Sequence, residues 1–197
     1  GDPMGSKRYF FDYKQLSAYP GESNRVGLYD FAPHIMISSF KDFAAFGKAY
    51  QTRAHEKAKP TPDIVKLAHE IVGKEKDQLA QARLLYNWVS RNIRYVGVYV
   101  GAGGFIPHDA QSILDHRYGD CKDHVVILES LLTSVGIDSS PALVNYGDSY
   151  QLHKLPLTSP FNHVITYLPK YKLFLDSTND FAPFGILDDD VMDKPVF

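Results

Sequence analysis

The one cysteine of the chain, Cys121, stands in "HRYGDCKDHVVILESLL" (residues 116–132), after a Gly-Asp step and before an apolar helical run. Gly119-Asp120 permits a sharp turn with Asp120 as helix cap, which puts Cys121 in the first helical turn. Unpaired backbone N–H groups and the positive end of the helix dipole favour a thiolate there. Cys121 also lies four residues before Val125 on the apolar stripe, so its side chain is expected to face the sheet. Two segments further on, "NHVITYL" and "YKLFLDST", read as antiparallel strands. A turn symmetric about Pro169-Lys170 sets His163 directly opposite Asp176 on one face, with Cβ atoms about 5 Å apart. A slip of one residue would send Asp176 to the other face. Pro169 suits the tightest hairpin turns poorly, so a slightly looser loop with the same centre is expected.

A thiol at a helix start, an imidazole beside it and a carboxylate behind the imidazole can perform nucleophilic chemistry on an amide. The imidazole takes the thiol proton, the thiolate attacks the carbonyl, and the imidazolium protonates the departing amine. The aspartate fixes the ring tautomer. The Cys121 N–H is one oxyanion donor, and Tyr95, then Trp88 and Gln111, are the upstream candidates for a second.

Each residue has a plainer reading. Free cysteine is commonly a buried packing group. His163 alone would be a satisfied strand histidine, and Asp176 alone a cap for the turn at Ser177-Thr178. Lys122 and Asp123 read as a solvated first turn, and His108, His116, His124 and His153 as surface or loop residues. His116, Cys121, His124 and His163 are also zinc-type ligands, but no CxxC or HExxH pairing is present and Asp176 would be left without a role. No metal and no cofactor is expected.

The elements that must position these residues follow from periodicity and punctuation. "NRVGLYDFAPHIMISSF" (24–40) suggests one or two short strands around Pro33, and "FKDFAAFGKAY" (40–50) a helix weakened by Gly47. "EKAKPTP" reads as a linker. Thr61 caps a helix with Pro62 at its first position, Ile64, Leu67, Ala68 and Ile71 on one face, and Gly73 as its end. A second helix spans about 77–92, with a stripe through Leu84, Leu85, Trp88, Val89 and, just beyond, Ile93. "YVGVYV" (95–100) is strand-like, and residues 101–120 are loop-rich. The helix at Cys121 carries Val125, Leu128, Leu132 and Val135 on one face and stops at Gly136. "PALVNY" is a strand before the hairpin. This order is an α+β pattern: a helical N-terminal part packed on an antiparallel sheet, with the nucleophile at a helix N-terminus.

The bulk properties remove several alternatives. The 197 residues are 44% hydrophobic and 22% charged, the balance of a globular chain, and the net charge is -2. That charge gives no footprint for nucleic acid or an anionic membrane, and no apolar stretch is long enough for membrane insertion. One cysteine precludes an intramolecular disulfide. "GDPMGS" (1–6) reads as an expression scar, and residues 7–58 as the tail of a neighbouring module with a connecting helix. Residues 59–197 read as the core, and the full-length protein is expected to carry additional domains.

From about Thr61 to Thr178, "NIRYVGVYVG", "RYGDCKDHVVILESLLTSVGI", "NHVITYL" and "LFLDST" resemble the transglutaminase-like superfamily. The likeness is to the bacterial branch in which this core follows a β-rich domain of unknown function. The resemblance implies a papain-like core with Cys121 as nucleophile, His163 as general base and Asp176 as orienting carboxylate. It implies cysteine-dependent hydrolysis or acyl transfer at protein or peptide amides through a thioester. Hydrolysis (as a protease or deamidase) is favoured because water is always at hand whereas an acceptor amine needs its own site. Protein cross-linking, and a catalytically silent module keeping the fold, are the alternatives. The family often has an aromatic residue soon after the histidine where this chain has "HVIT", which bears on the substrate pocket. Export to the periplasm or cell envelope is implied by the resemblance alone.

Overall fold

The computed structural model describes residues 8–14, 17–97 and 106–197. Its helices are α1 (Leu28–Phe31), α2 (Phe43–Ala54), α3 (Pro62–Val72), α4 (Gln78–Asn92), α5 (Ala110–His116) and α6 (Cys121–Ser134). Its strands are β1 (Arg94–Tyr95), β2 (Tyr118–Gly119), β3 (Ser140–Val144), β4 (His163–Leu168) and β5 (Leu173–Leu175). The centre is α6, nearly every residue of which is buried from Cys121 to Leu132. A helix apolar around most of its girth must be covered on several sides. Helices α3, α4 and α5 cover one side through Ile64, Ala68, Leu85, Val89 and Ile113, and the sheet covers the other.

That sheet is antiparallel in the order β3-β4-β5, and a short parallel ladder joins β1 to β2. One face of β3 and β4 sends Leu143 and Val164 against Cys121 and Val125. Ala142, Val144 and Ile165 form a second cluster with Val191. Among the described residues no helix is long and apolar enough to cross a membrane.

Local signals account for most boundaries. The Thr61 hydroxyl accepts from Ile64 N, Pro62 opens α3, and Gly73 follows its last residue. Asp77 caps α4 through Ala80 N at 2.8 Å. Gly47 does not break α2, because it makes room: a Cβ there would meet the Phe197 ring at 2.9 Å. Phe197 lies nearly parallel to Phe46 (5.3 Å, 19°) and exchanges backbone hydrogen bonds with Leu143.

Several expectations are corrected. Residues 24–40 contain no strand, only the single helical turn α1. Their β-branched and aromatic residues do not alternate strictly, and Pro33 lacks a ladder donor. The strand expected over 95–100 is limited, among described residues, to Tyr95 with Arg94 before it; residues 98–100 lie outside those described. The loop-rich stretch contains α5, whose Ala110, Ile113 and Leu114 make a short buried stripe; residues 101–105 lie outside those described. On α4 the buried face is Ala82, Leu85, Tyr86, Val89 and Ser90, and Leu84 turns to solvent.

Candidate active site

Helix α6 begins where expected, with Asp120 at its N-cap. The first turn, however, is not solvated. Lys122 and Asp123 are buried, and so is Asp120. The Lys122 ammonium donates to Asp120 Oδ2, so the two buried charges neutralise each other beside the sulfur. Asp123 reaches back to accept from Asp120 N (3.2 Å). It also accepts from His108 N (2.8 Å) and lies 3.0 Å from His108 Nδ1. One carboxylate thus closes the helix start and ties the 106–109 segment to it. Gly119 is required by this approach, since a Cβ there would meet Asp123 Cβ at 2.4 Å. His124, expected at the surface, is fully buried. Its Nδ1 lies 3.4 Å from Ser177 Oγ, and the Tyr95 ring meets it edge-on at 5.9 Å. Burial pushes His124 down, more strongly than its Ser177 contact and the Asp176 charge push it up, which favours the neutral ring.

The hairpin delivers the other two residues by a register that differs from expectation. Leu168 pairs with Leu173, Tyr167 with Phe174 and Thr166 with Leu175. The connection is a 3-10 turn over Pro169–Tyr171, followed by Lys172 in the left-handed region. This turn carries two more residues than a turn centred on Pro169-Lys170, so Asp176 is diagonal to His163 and not directly opposite. A shift of two keeps the pleat parity, and a diagonal neighbour remains within reach of a long side chain. His163 Nε2 lies 2.7 Å from Asp176 Oδ2. Asp176 Oδ1 accepts from Thr178 Oγ1 (2.7 Å) and Thr178 N (3.1 Å).

Cys121 is the second group acting on His163, and with Asp176 it raises the imidazole pKa. With Nε2 turned to Asp176, Nδ1 is the ring nitrogen left to take a thiol proton. Burial alone would lower the His163 pKa, but the hydrogen bonds and charges of Asp176 and Cys121 outweigh it and raise it to about 9. For Asp176, burial pushes up, while His163 and the two Thr178 donors pull harder and leave the carboxyl below its ordinary value. Both shifts favour an imidazolium-carboxylate pair. Cys121, His163 and Asp176 are 9%, 8% and 5% exposed, so the three are largely withdrawn from water.

A cleft of about 820 Å³ opens on His163 and Asp176, with Arg94, Tyr95, Tyr146, Asp180 and Phe181 in its walls. Tyr146 sets its ring edge against His163 at 5.5 Å. Beneath the wall, the buried Tyr86 hydroxyl lies 2.9 Å from the Asp176 carbonyl oxygen and 3.0 Å from that of Ala182.

Of the proposed oxyanion donors, only Tyr95 lines this cleft. Trp88 is partly buried against the core, with the Arg117 guanidinium 5.0 Å over its ring. Gln111 is committed elsewhere: its Oε1 accepts from Thr61 Oγ1 and its Nε2 donates to Asp115. Trp88 and Gln111 are therefore not brought to the site. Nor do the four zinc-type residues converge; among the described residues no group of three or more metal-ligating side chains is placed to hold an ion. The turn cap expected of Asp176 at Ser177-Thr178 is present alongside its bond to His163. Sequence reasoning passed over Tyr86, Tyr146 and the Asp123–His108 tie, and only the last had a signal, the acidic residue three places after the cap.

The sequence model of the transglutaminase-like superfamily matches residues 65–166. None of the curated proteins matches the chain. A solved structure described as a candidate protease, from Parabacteroides distasonis, is 12% identical with a TM-score of 0.59; the match covers 80% of this chain and 32% of that one. Another, described as a candidate cysteine protease from Cytophaga hutchinsonii, is 17% identical with a TM-score of 0.43, covering 64% of this chain and 42% of that one. The chain therefore spans about a third of the first neighbour and under half of the second. The first likeness is one of fold: a helical layer and an antiparallel sheet of the papain-like kind.

Proposed function

This chain belongs to the transglutaminase-like superfamily, and from that premise we propose that it is a cysteine-dependent enzyme acting on protein or peptide amides, with hydrolysis as the outcome. The observation that carries the reading is the contact series Cys121–His163–Asp176, with its 2.7 Å imidazole–carboxylate bond.

His163 takes the thiol proton, leaving a thiolate beside an imidazolium. The sulfur attacks the amide carbonyl, forming a C–S bond, and the oxyanion meets the Cys121 N–H at the start of α6. Tyr95 is the candidate for the second donor. The C–N bond then breaks as His163 returns its proton to the amine, which departs and leaves a thioester. Water entering from the cleft gives a proton to His163 and attacks the thioester. The acid is released, and the proton passes back to the sulfur. Asp176 remains ionised throughout and holds the ring. The cleft reaching His163 supports hydrolysis, because it gives water a route to the base.

Iodoacetamide near neutral pH provides the first test. Cys121 is expected to alkylate much faster than a free thiol, and His163→Ala to remove the excess. Mass spectrometry after incubation with a mixed peptide pool should then find acyl adducts on Cys121 and cleaved or deamidated products. Slow, ordinary alkylation would leave only a binding module with this fold. Amine-linked products would show transfer instead of hydrolysis.

A further inference from the structure

The cleft on His163 adjoins a second hollow, of about 490 Å³, through two residues that line both, Asp180 and Phe181. One wall of that hollow is α4. Arg83, Asn87 and Arg91 recur there at every fourth residue, so they share one side of the helix, opposite the buried Leu85 and Val89. Both arginines are exposed. Among the described residues neither has an ion-pair partner. The Arg83 guanidinium lies 5.5 Å over the Phe184 ring. Stacking of that kind occupies a flat face of the guanidinium and leaves its in-plane N–H donors to a ligand.

The two concavities differ in charge. In the cleft, His163 and Asp176 offset each other, which leaves Asp180 and Asp188 against Arg94. In the hollow, Arg83 and Arg91 stand against Asp180 alone. Negative charge is therefore in excess beside the base, and positive charge in the space beyond. A substrate carboxylate is repelled from the first and drawn to the second. The ridge between them is also suited to contact. Phe181 is 93% exposed, yet its turn is fixed: its N–H donates to Asn179 Oδ1 at 2.9 Å, and Ala182 N donates to the Asn179 carbonyl at 3.2 Å. A ring held out in water gains by being covered. The cleft is lined by His163 and Asp176 and not by Cys121. The part of the substrate that enters it is thus the amine half, which receives the His163 proton.

We propose that the hollow bordered by Arg83, Arg91 and Phe181 is a subsite for an acidic side chain, Glu or Asp, on the amine half of the substrate. The chain leaving the scissile bond crosses Phe181, and its carboxylate is held by the arginine forks on α4. Substrate selection then lies on a helix that contributes none of the three residues of the contact series.

The inference rests on the reading of Cys121 as nucleophile and His163 as base, and the experiment separates the two. Capped ten-residue peptides carrying four successive Glu, or Gln at the same places, are titrated calorimetrically into the Cys121→Ala chain, where no reactive sulfur is needed. The Glu peptide is expected to bind about 3- to 10-fold more tightly than the Gln peptide. Arg83→Gln with Arg91→Gln should bring that ratio close to one. Arg83→Glu with Arg91→Glu should turn the preference toward a matching Lys peptide, a gain that a misfolded chain would not give. Equal affinity for Glu and Gln with both arginines in place, or a Glu preference that survives both double substitutions, would overturn the proposal. The chain with Cys121 intact is then given a mixed peptide pool, and its products are read by mass spectrometry for Glu and Asp on the amine half. A Glu preference in the titration that the arginine changes remove sustains the subsite even where the pool yields no product. Products without acidic enrichment on the amine half count against the subsite even where Cys121 is fast.

Discussion

The two sides of the candidate site are built by opposite means. The nucleophile side is local: Asp120, Cys121, Lys122, Asp123 and His124 are consecutive, and three of the five, Asp120, Lys122 and Asp123, carry buried polar groups that secure the start of α6. The base side is assembled from residues thirteen positions apart, joined by one 2.7 Å bond and by the pairing of β4 with β5. Changes on the first side should therefore fall on folding, and changes on the second on chemistry. A helix start can be a foundation and a reactive centre at once, whereas a strand pair can exchange its polar side chains with less cost to the core.

Substitutions can break or sharpen that contrast. The largest effect is expected from Cys121→Ala or His163→Ala, either of which should lower amide turnover by about 10³-fold or more, read by mass spectrometry of peptide products. Asp176→Asn should follow, with a loss of about 10²- to 10⁴-fold through the wrong tautomer and a weaker imidazolium. Its melting temperature should move less than that of Lys122→Met. The latter strips Asp120 of its buried partner and should cost about 3–5 kcal/mol in urea unfolding, while the folded fraction keeps its rapid alkylation. Equal destabilisation by Asp176→Asn and Lys122→Met would erase the distinction.

A pH series gives a smaller, graded effect. The His163 pKa is raised to about 9, so its stabilising contribution is complete below its unfolded value of about 6.5 and fades as pH rises through about 9. Amide turnover, which needs the imidazolium as acid, should decline above that point, whereas alkylation, which needs only thiolate, should not. The Asp176 carboxyl is lowered, so its contribution holds above the ordinary carboxylate pKa and is lost as pH falls through the folded value. Thermal melts across the range would display both limits. A parallel decline of turnover and alkylation above pH about 9 would remove His163 as the acid.

The same contrast explains what could be read from the residues alone. The start of α6 was legible because a glycine, a capping aspartate and an apolar stripe are contiguous signals. The shared side of His163 and Asp176 was legible because strand periodicity depends only on odd or even separation. The two-residue displacement was not, because the 3-10 turn ends on Lys172, a non-glycine residue in a left-handed conformation that local propensity disfavours. The burial of Lys122, Asp123 and His124 was also hidden. Charged residues in a first turn ordinarily face water, and only the packing of α6 on all sides makes these exceptions. Helix α5 went unread because its three buried apolar residues follow a glycine-rich stretch.

The Tyr86 hydroxyl has one hydrogen to give and two carbonyls to satisfy, at Asp176 and Ala182. Burial, and then the Asp176 charge, push its pKa to about 12, so that hydrogen stays in place across the working range. The bend of chain bearing Asp180 and Phe181 hangs from this shared clasp like a flap pinned at both hems. Removing the clasp would free both hems together, and the hem at Asp176 is the one that carries the carboxylate on His163.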